Sequence, residues 1–136
     1  MKKKNCTCEF SSHRNTLLIE NFRKSIARQS QISLQKAFMD AKSTPAPRFW
    51  VSERRAAEVI SKMLAGKDPT PSMYPEKREM YREIFRRVLP LRRRYPDAPL
   101  SELVFRVVNS EAPDFYLSLY SVRNIIYSLK KKKNNA

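Results

Sequence analysis

Glycine occurs once in these 136 residues, histidine once and cysteine twice. One glycine against nine prolines excludes a fold built on tight hairpin turns, which need residues at positive φ. A single histidine and 13 Asp and Glu leave few groups for hydrolysis, which needs a base, an acid and their orienting partners. The chain is therefore expected to be no enzyme, with no cofactor and no small-molecule substrate. Cys6, Cys8 and His13 fall one ligand short of a tetrahedral metal site, so no metal is expected either. No stretch approaches the roughly 20 apolar residues of a membrane span. Met1-Lys-Lys-Lys-Asn5 carries the charge of a leader's first region, yet no apolar segment stands behind it. The expectation is a cytoplasmic protein with reduced cysteines and no membrane partner.

What the sequence has in excess is positive charge. Lys and Arg number 28, the formal net charge is +15, and the isoelectric point is near 10.2. The excess is +8 over residues 1–66 and +7 over 67–136, so both halves call for a polyanionic partner. A hydrophobic fraction of 41% is too high for a disordered basic tail, and the stretches between prolines are rich in helix formers. An all-α fold follows.

Ala46-Pro-Arg-Phe-Trp-Val-Ser52 recurs as Ala112-Pro-Asp-Phe-Tyr-Leu-Ser118, 66 residues on. The register continues without a gap: Ala56/Val122, Val59/Ile125, Ile60/Ile126 and Met63/Leu129 stay apolar at the i, i+3, i+4, i+7 spacing of one helix face. Upstream, Leu34/Leu100, Ala37/Leu103, Phe38/Val104 and Ala41/Val107 form a second face, and Leu18/Ile84, Ile19/Phe85 and Phe22/Val88 a third. This pattern predicts two tandem tri-helical, helix-turn-helix-like units related by the offset of 66. Their helices are expected at 16–29, 33–42 and 53–65, then at 76–94, 101–109 and 119–131.

The chain accordingly divides into a flexible basic tail (1–14), a first unit (15–66), a proline-rich linker (67–75) and a second unit with a lysine-rich end (76–133). Ser52 and Ser118 are placed to cap the third helix of each unit, and Gly66 to end one in a left-handed turn. Pro90 predicts a kink or break in the long helix. Gln29-Ser-Gln-Ile-Ser33 contains neither proline nor glycine, which leaves open whether 16–42 is one helix or two.

Helix, helix, connecting segment and capped helix is the layout of tri-helical DNA-binding domains whose last helix enters the major groove. With Val122, Ile125, Ile126 and Leu129 turned inward, Tyr120, Arg123, Asn124 and Tyr127 are left on the free face. Arg and Asn are the bidentate partners of guanine and adenine edges. The corresponding face of the first unit carries Arg54, Arg55, Glu58 and Lys62, basic and suited to phosphates rather than to reading bases. Arg78, Arg82 and Arg86 form a stripe at i, i+4 spacing that continues to Arg92, Arg93 and Arg94, with Glu83 and Arg87 as an expected ion pair. Lys130 and Lys131 extend the charge at the end of the chain. The sequence thus points to a small nucleic-acid-binding protein, DNA favoured over RNA, with a homodimer left open. Two readings compete: an RNA-binding or ribosome-associated protein in which Trp and Tyr stack on bases, and an adaptor that docks an acidic partner through the Phe-aromatic loops.

Overall fold

A computed structural model describes the backbone of residues 2–135 and the side chains of residues 10–129. The helices are α1 (Lys2–Arg28), α2 (Leu34–Lys42), α3 (Glu53–Leu64), α4 (Pro75–Arg94), α5 (Leu100–Val108) and α6 (Leu119–Asn135), with a short 3₁₀ turn at Thr70–Ser72. The protein is all-α. The backbone of α1 begins at Lys2, where a flexible tail was expected.

Local chemistry sets the boundaries. The hydroxyls of Ser33, Ser52 and Ser118 accept from the backbone amides of Lys36, Arg55 and Ser121 at 3.2, 3.1 and 3.1 Å, closing the first turns of α2, α3 and α6. Gly66, at φ +79°, ends α3 in the left-handed conformation, and the Lys67 amide returns to the Lys62 carbonyl at 2.9 Å. Pro75 opens α4, where the amide it lacks would have no helical partner anyway.

Residues 16–42 form two helices. The Gln29 side chain makes the corner without proline or glycine: its Oε1 accepts from the Ser33 amide at 2.6 Å, and its Nε2 donates to Ser25 Oγ at 3.1 Å. Ser25 is buried and donates in turn to Asp40 Oδ2 at 2.7 Å, tying α1 to α2. The break expected at Pro90 does not occur. Pro90 lies on the exposed side of α4, so the carbonyl it leaves without a donor is open to water and the helix runs on to Arg94.

The helices pack in two units. One contains α1, α2 and α6, the other α3, α4 and α5 with the 3₁₀ turn. Each unit takes two helices from one half of the sequence and one from the other, so the units are not the consecutive blocks 15–66 and 76–133. Nor do α2 and α3 form a helix-turn-helix pair: α2 packs with α6, and α3 with α5. The physical reason lies in the long connectors after α2 and α5. Proline holds them extended, and the Phe49 amide donates to the Val108 carbonyl while the Phe115 amide donates to the Lys42 carbonyl, each at 2.9 Å.

In the first unit Leu18, Phe22, Ala37, Phe38, Phe115, Val122 and Ile126 are buried. The rings of Phe22 and Phe38 stack at 5.1 Å, and Phe38 meets Tyr127 edge-on at 5.7 Å. In the second unit Phe49, Val59, Ile60, Tyr81, Ile84, Val88, Leu103, Val104 and Val108 make the core. Tyr116 takes a positive φ of 57°, unusual for an aromatic, and its amide is held by Asp114 Oδ2 at 2.6 Å.

Candidate nucleic-acid interface

Arginines that look alike in the sequence of α4 have different duties. Arg78 is half-buried and donates from Nη2 to the Met73 carbonyl at 3.2 Å, so it anchors the start of the helix rather than facing solvent. Arg82 is exposed, and its charge helps hold the Asp68 carboxyl below the usual carboxylate range, behind the larger effect of the Thr70 hydrogen bonds. Arg86 is exposed but bonded to Glu83. Arg87 completes the expected pair with Glu83 at 2.8 Å. It also donates to Ser110 Oγ and the Glu111 carbonyl at 3.3 and 2.7 Å, with its guanidinium 5.1 Å from the Phe49 ring centroid. That side chain cements the second unit. Of the arginines of α4, Arg82 and the three at the end of the helix are thus the ones left facing solvent without a carboxylate bonded to them among the described residues.

Arg92, Arg93 and Arg94 are all exposed in the last turn of α4, where the helix dipole favours cations. The ring of Tyr95 lies 5.6 Å from the guanidinium of Arg94 and 5.3 Å from that of Arg106 on α5. Beside them, Arg92, Arg93, Tyr95 and Pro96 border a depression of about 390 Å³. Arg94 and Arg106 thus converge on one aromatic at the corner between α4 and α5, with Arg92 and Arg93 exposed beside it. Sequence reasoning missed Tyr95 and Arg106. The first was legible as an aromatic directly after the arginine run, whereas the second reaches the cluster only because α5 folds back beside α4.

In the first unit, Tyr120, Arg123, Asn124 and Tyr127 all lie exposed on α6, as their periodicity required, and the Arg123 guanidinium sits 6.0 Å from the Tyr127 ring centroid. Arg54, Arg55 and Lys62 are exposed on α3, in the other unit, and the two arginines share Glu58 at 3.7 and 3.5 Å. The predicted residues therefore fall into separate groups. The side chains of Lys130, Lys131, Cys6 and Cys8 lie outside the described residues; His13 is exposed.

The Phe-aromatic loops present little to a partner. Phe49 and Phe115 are buried as plugs and Trp50 is only 8% exposed, so the ring expected to stack on a base packs into the second unit instead. Among the described residues no group of three His, Cys, Asp or Glu is placed to hold a metal ion, and no helix is long and apolar enough to cross a membrane. Compared with known proteins, the chain matches no family model, no curated protein and no solved structure.

Proposed function

We propose that this chain is a small, non-catalytic nucleic-acid-binding protein, with duplex DNA as the favoured partner. The observation that carries the reading is the corner at Tyr95, where Arg94 and Arg106 share one ring beside the exposed Arg92 and Arg93, on a chain of net charge +15. Exposed cations gathered at one corner favour a polyanion lying across them, and phosphate oxygens are matched acceptors for their forked donors. Arg82 continues the path along α4. Arg123 and Asn124 on α6 supply the side chains suited to base edges. Tyr120, 72% exposed, supports the RNA or single-strand alternative, since a free ring stacks on unpaired bases.

Fluorescence anisotropy with labelled duplex DNA, single-stranded DNA and structured RNA, each at two salt concentrations, tests the proposal. The expected result is tightest binding to the duplex, with log K falling by about 0.9 per phosphate contact as log salt rises. Preference for the single strand moves the stacking reading into first place, and no binding at low salt overturns the function.

A further inference from the structure

The depression beside Tyr95 combines cations with carbon. Arg92 and Arg93 line it together with Leu89, Leu100 and Leu103, the last only 2% exposed, and all of them belong to the second unit. Its volume of about 390 Å³ falls among small-ligand clefts, which run roughly from 300 to 1,000 Å³. The turn that borders it is fixed from within. The Tyr95 amide donates to the Leu91 carbonyl at 2.8 Å and the Ala98 amide to the Tyr95 carbonyl at 3.1 Å, while Pro96 and Pro99 hold their own φ. The site is therefore shaped before any ligand arrives, which lowers the entropy lost on binding.

Its charge is uncompensated. Among the described residues, none of Arg92, Arg93, Arg94 and Arg106 is bonded to a carboxylate, and although Asp97 and Glu102 are exposed nearby in sequence, neither lines the depression. The ligand that fits is anionic, yet a bare phosphate would leave the leucines uncovered. A nucleotide brings both parts: its phosphate meets the arginines, and its flat base stacks on a guanidinium plane and covers carbon. A carboxylate side chain of an acidic peptide satisfies the charge but offers no planar body to fill the space. Bases paired inside a duplex are held in the stack, whereas an unpaired one costs least to turn outward.

We infer that this depression takes a single unpaired base at the end of a DNA duplex, with the neighbouring phosphates on the arginines beside it. The inference rests on the nucleic-acid reading of the same corner and narrows its partner to duplex ends that carry an unpaired nucleotide.

The test is fluorescence anisotropy of the full chain with three labelled hairpin duplexes. One is blunt, one carries a single adenosine overhang at its 3′ or its 5′ end, and one carries the same overhang without its base. The adenosine overhang should bind about tenfold more tightly than the other two, within what one stacked base contributes. The other two should bind alike, since the abasic overhang keeps the phosphate and loses only the base. Ala98→Phe fills the depression from the turn and Leu89→Trp from α4. In either variant, once its thermal melt matches the wild type, the ratio of overhang to blunt affinity should fall to about one. Equal binding of all three duplexes, the same gain from the abasic overhang, or a folded filled variant that keeps the preference overturns the inference and leaves the polyanion reading standing. Absence of any DNA binding overturns both. A peptide of alternating glutamate and leucine that binds more tightly than the overhang duplex would give the depression to an acidic protein and overturn the inference as well.

Discussion

Ala46 and Ala112 exchange backbone hydrogen bonds in both directions: the amide of each donates to the carbonyl of the other at 2.8 Å. They face each other as a single antiparallel bridge, the residues are 66 positions apart, and both side chains are buried to within 1%. A methyl group is what such a close approach of two connectors admits. Ala112→Val, or Ala46→Val, is expected to overpack the crossing and cost about 1–3 kcal/mol, read as a lower urea midpoint with an unchanged slope. An unchanged midpoint would show that the crossing has room to spare.

Acid should weaken the fold in a traceable way. The hydrogen bond from Ser25 is the largest influence holding the Asp40 carboxyl below its ordinary 3.8, aided by Lys36, and the backbone bond from Thr70 does the same for Asp68. A carboxyl lowered in the folded state binds fewer protons there than in the unfolded chain, so its contribution is complete above the unfolded value and lost as pH falls through the folded one. Urea midpoints measured from neutral pH down to about pH 3 should decline most steeply below the ordinary carboxylate value. Ser25→Ala should flatten part of that decline, whereas a profile identical to wild type would remove Asp40 from the account.

Replacing Arg92, Arg93 and Arg94 together by alanine should leave the melting temperature nearly unchanged, because all three are exposed. Affinity should fall alike for every DNA sequence, and the salt slope should shrink by about 0.9 for each lost phosphate contact. A loss confined to particular sequences would assign these arginines to base reading instead.

Arg123→Ala and Asn124→Ala should each cost roughly 1–3 kcal/mol on a preferred site and little on random DNA, since a lost bidentate contact removes discrimination rather than general attraction. Selection from random oligonucleotides supplies the site. If selection returns no motif, or both variants keep the wild-type preference, α6 is not a reader.

The existence of the helices was legible in local chemistry. Ser52, Ser118, Gly66 and Pro75 mark ends through capping and φ preference, which act over a few residues and leave direct signatures in sequence. The Gln29 corner was not legible, because its amide works only through Ser25 and Asp40, the latter 11 residues on. The candidate site was half legible: Arg92, Arg93 and Arg94 stand consecutively and the Glu83–Arg87 pair follows from spacing, but Arg78, an equal member of the stripe on paper, is held by a protein acceptor. Which arginine meets a carbonyl and which meets water depends on the neighbouring segment, not on helical spacing.

By itself the sequence determined an all-α chain of strong positive charge and the caps and apolar faces of its helices. These follow from periodicity and backbone preference, which are local. Only the tertiary structure decided which helices share a core. An apolar face specifies that it must be covered but not by what, and α3 and α6 offer similar faces to either pair of partners. The paired connectors at Ala46 and Ala112 resolve that choice, setting α3 beside α5 and α6 beside α2. With it came the convergence of Arg106 on Tyr95, which does not exist before α5 has its neighbours.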